Sequence, residues 1–221
     1  FKQGQGGAVR GQVTAESPTE VAVSLGNSTI NVPTDQIESI EYQGQPAAMQ
    51  LGQTNADAGR AVEAITQYQK AATEAAGKPF VVEAAKFGEA SLLADLALTE
   101  PEHVKEALAK LSAFIQGYPR GRHIVAAREA LARVQLHSAD YGGAEANIAE
   151  LAKIPPGANP AAILKARLLL KQGDAKAAAA DLDRLIAAAP ANSPEQVEMK
   201  MVKAETLIAA SKYDEAETLV R

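Results

Sequence analysis

Cysteine and tryptophan are absent from the 221 residues, and aromatic residues of all kinds make up only 4%. Without cysteine there is no disulfide framework, no thiol nucleophile and no Cys-ligated zinc. Histidine is scarce: His103, His123 and His137 are the three in the chain. No apolar run approaches the roughly 18–20 residues that a membrane span needs, so no transmembrane helix is expected in this segment. A basic excess is missing as well. The 22 Lys and Arg against 27 Asp and Glu leave a net charge of −5, which argues against nucleic acid as a partner, because phosphate binding needs a basic field. What is present is apolar residue in ordinary amount (47%) and alanine in excess. Of 47 alanines, 44 follow residue 45, so two differently built parts are expected. The chain begins with Phe1, not Met, and Arg221 falls inside a helical pattern. Both ends therefore read as cut, with a removed targeting segment one explanation of the start.

Residues 1–44 alternate in the manner of short strands. Val9, Gly11 and Val13 alternate with polar neighbours, as do Val21, Val23 and Leu25, the period of a half-buried strand. Gly26-Asn27 tolerates the positive φ of a tight hairpin. Ile30 and Val32 return, and Pro33 ends the strand by removing a ladder donor. Thr34 to Ile37 suits one helical turn capped by Thr34 or Asp35, after which Ile40 and Tyr42 resume alternation. Four or five short strands are expected. The run from Val9 to Tyr42 resembles the small SH3-like or Sm-like β-modules of bacterial envelope proteins. It has two basic residues, Lys2 and Arg10, against five acidic ones, and its only aromatics are Phe1 and Tyr42. Nucleic acid and Pro-rich peptide are therefore poor ligands for it.

Residues 46–221 repeat. Segments starting at Asp57, Glu102, Ser138, Gln172 and Ala210 align on a small residue at Ala64, Ala107, Ala144, Ala178 and Ala216, with successive spacings of 43, 37, 34 and 38. Pro119, Pro156 and Pro190 each follow the aligned alanine by twelve residues. A further helical pattern precedes three of the segments, over about 124–136, 161–170 and 195–208. Two helices per unit at a period near 34 residues resembles the tetratricopeptide repeat (TPR), with Gly173, Asp174 and Ala178, Tyr141 and Ala144, and Tyr213 and Ala216 at the family's marked positions. The resemblance implies a mainly α fold, a solenoid of about five helix hairpins, preceded by the β-module. The units fall roughly at 46–79, 80–119, 124–156, 159–190 and 194–221, the second lengthened around Thr99–Glu102. The fifth unit stops partway, so more chain past Arg221 is expected. Alanine at the recurrent position lets two helices approach closely, and Tyr141 and Tyr213 are expected to fill the space between neighbours. Each hairpin buries its apolar face only by stacking on the next. The stretch from Leu111 to Leu136 resembles the F-x-x-x-Y-P subtype of exported bacterial envelope proteins, which implies a periplasmic or envelope location, with the cytoplasm as the alternative.

Catalytic constellations are not expected. His123 and His137 stand about 20 Å apart along one helix, too far to share a metal, and all three histidines read as surface or helix-end residues. Gly4-Gln5-Gly6-Gly7 lacks the Lys-Ser/Thr of a phosphate loop. Glu100-Pro101-Glu102 reads as a solvated turn, and Arg120 and Arg122 as solvent-facing loop cations. No cofactor and no metal are expected.

Binding is the open chemistry. The TPR resemblance implies that the first helix of each unit lines a concave groove. In that register Arg133 and Arg167 are equivalent inward positions, and His137 and Lys171 follow one turn later. Such a basic stripe could grip an acidic peptide or a C-terminal carboxylate, with Glu129 and Glu205 as nearby charges that could pair with it. Met49 and Gln53 are the plainer equivalents in the first unit and could pack on the β-module instead. The three-residue linker from Gln43 to Gln45 predicts a fixed β-module. The function expected is a non-catalytic scaffold for a protein or peptide partner. The alternative is a regulatory or sensory fragment of a larger envelope complex or multidomain enzyme. The oligomeric state is not set by the sequence.

Overall fold

The structure, a computed structural model, describes residues 8–220, the side chain of Val220 excepted. Phe1, Lys2, the Gly4–Gly7 run and Arg221 lie outside the described residues. The described residues hold three strands and ten α-helices and divide into two compact units, one up to Val134 and one from Gln135.

The first unit opens with an antiparallel sheet, β1 (Gln12–Glu16), β2 (Glu20–Ser24) and β3 (Thr29–Pro33), in that order. Val21 pairs with Val32 and Val23 with Ile30, and a bulge interrupts the first ladder between Val13 and Ala15. The β2–β3 hairpin turns where expected, with Gly26 at φ 94° and Leu25 N–H donating to Ser28 O at 2.8 Å. Val21, Val23 and Val32 form the core, and Val13, Ile30, Ile37 and Ile40 pack on it. Three strands form, not four or five. Val9 and Gly11 precede β1, and residues 38–42 make no strand. Ile40 reaches the core without a ladder, because Tyr42 N–H is taken by Gln45 Oε1 at 3.1 Å. The helical turn is a 3-10 turn at Thr34–Gln36 with no side-chain cap. The Thr34 hydroxyl donates to Ser17 O instead, at 3.1 Å, tying the turn to the β1–β2 connection.

Five helices follow: α1 (Ala47–Asp57), α2 (Ala61–Glu74), α3 (Pro79–Ala97), α4 (Val104–Gly117) and α5 (Ile124–His137), the last crossing the unit boundary. The α2 helix packs on both α1 and α3, and α4 on α3. The Tyr68 ring of α2 lies in a slot made by two glycines: a Cβ on Gly52 of α1 or on Gly88 of α3 would each come within 2.9 Å of it. Met49 packs against this cluster of Ala48, Ala64, Tyr68, Ala71 and Ala85. Gln53 is exposed and accepts the Tyr68 hydroxyl at 3.1 Å.

The second unit holds α6 (Tyr141–Leu151), α7 (Ala158–Lys171), α8 (Ala175–Ala188), α9 (Pro194–Ala209) and α10 (Tyr213–Val220), each packed on the next. Asp140, Asp174 and Ser193 cap α6, α8 and α9 with side-chain oxygens.

One local rule recurs in both units. The aligned alanines Ala64, Ala107, Ala144, Ala178 and Ala216 are each the fourth residue of a second helix, and all are buried. Five residues before four of them the chain turns left-handed, at Gly59 (φ 71°), Ala139 (φ 60°), Gly173 (φ 87°) and Ser211 (φ 60°). The next N–H then donates back to the first helix: Arg60 to Asn55 O, Asp140 to Gln135 O, Asp174 to Leu169 O and Lys212 to Leu207 O, at 2.8–2.9 Å. This closes the helix end in the manner of a Schellman turn. The lengthened second repeat replaces the motif with a 3-10 turn at Pro101–His103. Tyr141 is half-buried, but Tyr213 is 63% exposed. It opens α10, which packs on α9, and at that exposure Tyr213 does not fill the space between neighbouring helices.

Candidate functional site

The inward positions read from the repeat fall in both units. Arg133 and Glu129 lie on α5 in the first, and His137, Arg167 and Lys171 in the second. Each belongs to the first helix of a repeat. Glu129 and Arg133 are half-buried, and His137 is exposed in the last turn of α5. Among the described residues no acceptor reaches Arg133 Nε, although that atom is buried. Arg167 is half-buried on α7 and Lys171 is exposed one turn later. Arg167 Nη2 lies 3.6 Å from Glu198 Oε1 of α9. Its acidic neighbour is thus Glu198, whereas the sequence pointed to Glu129 and Glu205. Opposite charges sit on the other side of α7 too, where Lys165 pairs with Asp181 of α8 at 3.2 Å.

A second constellation lies wholly inside the first unit. Arg122, read as a loop cation facing solvent, is half-buried. Its side chain is 12% exposed and its Nε stands 3.5 Å from Glu16 Oε2, on a carboxylate that is 2% exposed. The Tyr42 hydroxyl donates to the other oxygen of Glu16. Glu83 of α3 is buried alongside, with the backbone N–H groups of His123 and Arg122 directed at its carboxylate. Gly121 makes room for it, since a Cβ there would fall on Glu83 Oε1. Two carboxylates therefore share one guanidinium. Burial, and then the Glu16 charge, push the Glu83 carboxyl above its usual range, while Arg122 pulls it back. Burial also raises the Tyr42 phenol, helped by Glu16.

His123 departs from its surface assignment for the same reason. Its ring stacks on Phe87 at 4.3 Å and 12°, and Phe87 in turn meets Phe114 at 5.6 Å. Burial, with Arg122 beside it, lowers its pKa to about 3, so the imidazole is neutral. His103 keeps a turn position, 3.2 Å from Glu100. This cluster joins β1, the segment after the sheet, α3 and the α4–α5 loop. It is a clasp between the β-module and the helices, and within it Glu83 Oε1, Arg122 Nε and His123 Nε2 are buried without a hydrogen-bond partner among the described residues. The Lys78 ammonium adds a bond to Gly44 O in the linker. Sequence reasoning missed the clasp. The one available signal was an acid at Glu16 on a strand position next to the bulge.

Among the described residues no group of three or more His, Cys, Asp or Glu could hold a metal ion, and no helix is long and apolar enough to cross a membrane.

No family model matches the chain, and no curated protein matches it. Solved structures do. A structure from Podosopora anserina, described as kinesin light chain nearly identical TPR-like repeats, is 16% identical over 79% of this chain and 90% of its own, with a TM-score of 0.61. A tetratricopeptide repeat protein from Parabacteroides merdae gives 17% identity and a TM-score of 0.61 over 78% of this chain. This chain spans 61% of that one. A thermophilic TPR protein from Thermus thermophilus gives 17% identity and a TM-score of 0.59, covering 78% of this chain and 86% of its own. At such identities the likeness is one of fold, and the fold of this chain is a TPR-like helical repeat with a small antiparallel sheet at its start.

Proposed function

We propose that the chain is a non-catalytic scaffold whose first-helix faces bind a protein or peptide partner with a carboxylate at the contact. The TPR-like fold supports this reading, since such repeats commonly serve as interaction scaffolds. The observation that carries it is Arg133. It is half-buried on a first-helix face and in no ion pair among the described residues, and a partner's carboxylate against the accessible part of its guanidinium would give the charge a counterion. In the second unit Arg167 and Lys171 put two cations on the same face of α7, with Glu198 near Arg167 as the charge an acidic partner would displace. The envelope resemblance of residues 111–136 extends the proposal to an exported scaffold.

The test is a pull-down from envelope and soluble fractions of the source cell with the wild type and the Arg133→Glu/Arg167→Glu variant. A protein retained by the wild type and lost by the variant is the expected result. Equal retention by both would overturn the assignment to this face.

A further inference from the structure

The repeat register brings one pair of positions together at three of the grooves between second helices. The fifth residue after an aligned alanine is Gln69 on α2, Ala149 on α6 and Asp183 on α8. The first helix that follows each of these presents Glu89 on α3, Lys165 on α7 and Lys203 on α9. Lys165 and Lys203 stand thirteen residues before Ala178 and Ala216, and Glu89 eighteen before Ala107, the excess being the lengthening of the second repeat. Two of the three pairs are joined. Gln69 Nε2 donates to Glu89 Oε1 at 2.8 Å, and the Lys203 ammonium donates to the Asp183 carboxylate. The third is not joined, because Ala149 has no polar atom to offer Lys165.

Where Gln69 or Asp183 would reach across, the second unit has open space. A groove of about 380 Å³ runs between α6, α7 and α8, and Ala149, Ala152, Ala158, Ala162 and Leu185 give it an apolar lining. That volume is at the low end of the roughly 300–1,000 Å³ of small-molecule sites. A slot of this size holds one chain or ring, not the roughly 800 Å² of surface that a protein partner covers. Lys165 and Arg184 also line it, and both lean on one carboxylate. Lys165 Nζ is 3.2 Å from Asp181 Oδ2, and Arg184 Nη2 is 3.3 Å from Asp181 Oδ1. Two cations thus share one anion. The other acid of the groove, Glu145, stands one turn before Ala149 on α6 and is exposed.

A carboxylate entering over Ala149 would meet Lys165 as Asp183 meets Lys203, with a charge-assisted bond. Glu145 repels that carboxylate from its own end of the groove, so the rest of the ligand runs the other way, over Ala152 and Ala158. We infer that the groove between α6, α7 and α8 binds a small amphiphilic carboxylic acid, its carboxylate on Lys165 and Arg184 and its apolar chain on the alanine lining. The site lies on the α8 side of α7, whereas Arg167 meets Glu198 of α9, so it is independent of the partner-binding face proposed above.

The probe is decanoate, kept below its aggregation threshold, with decanol as the uncharged chain of equal length. Binding to the full chain is read from the amide shifts of α6, α7 and α8 over a concentration series. Decanoate is expected to move the amides around Ala149 and Lys165. Lys165→Met, at an exposed position, should weaken decanoate about fivefold, the worth of one exposed charge pair, and leave decanol unchanged. Ala149→Glu, also at an exposed position, supplies the missing carboxylate from the chain itself and should abolish the decanoate shifts in the groove. Absence of decanoate shifts in the wild type overturns the inference, as does equal decanoate affinity in Lys165→Met or binding that survives Ala149→Glu. An acetylated hexapeptide ending in leucine that moves the same amides at lower concentration than decanoate would assign the groove to a protein terminus and overturn it as well.

Discussion

His123 sits at the centre of the residue-scale chemistry because burial keeps its imidazole neutral to about pH 3 while the unfolded chain titrates near 6.5. A depressed histidine contributes stability that is present above pH 6.5 and is lost as pH falls through 6.5 toward about 3, since the unfolded state takes up the proton first. Glu83 works in the opposite direction. Its carboxyl is raised, so its contribution is present below the ordinary carboxylate pKa and is lost as pH rises through the raised value. On acidification the two groups therefore act in opposite directions. The wild type is expected to lose stability below about pH 6.5 at up to about 1.4 kcal/mol per pH unit. His123→Phe keeps the stack on Phe87 and should flatten that loss in urea titrations across the acid range. An acid loss equal to that of the wild type would contradict the assignment. Neither His123 nor Arg122 was legible as part of the clasp. Their partners Phe87 and Glu16 stand 36 and 106 positions away, and no local period links a loop to a strand that distant.

At the scale of elements, the helices were legible and the strands only partly so. Helix pairs, the recurrent alanine and the turn before it come from contacts within about forty residues. The same local pattern recurs, so each copy reinforces the reading of the others. The sheet had no such repetition. Alternation at Ile40 and Tyr42 predicted a strand, but the Tyr42 hydroxyl is drawn to Glu16 and the segment makes no ladder. The turn motif carries its own prediction. Ala139 and Ser211 hold left-handed φ values near 60° where Gly59 and Gly173 hold them without a Cβ. A left-handed L-residue costs roughly 1–2 kcal/mol, partly offset by the greater unfolded-state freedom of glycine. Ala139→Gly and Ser211→Gly should therefore each be neutral to stabilising, by up to about 1 kcal/mol, in chemical denaturation. A loss above about 1 kcal/mol at either site would show that the turn is not the strained position it is described to be.

At the scale of the whole chain, an acidic, cysteine-free, alanine-rich sequence forms repeats whose second helices bury a small residue, and the cations proposed for binding lie on the first helices α5 and α7. The distinction between the two faces of a first helix is the central claim. On α7, Lys171 lies on the proposed binding face, and Lys165 on the side turned to Asp181 of α8. Both are exposed and they share one helix, so differences in folding or accessibility do not separate them. The most direct measurement is photo-crosslinking in the source cell with a photoreactive residue placed at Lys171 or at Lys165. The account predicts a partner adduct from position 171 and none from position 165. An adduct from 165 alone would contradict it and move binding to the second-helix side.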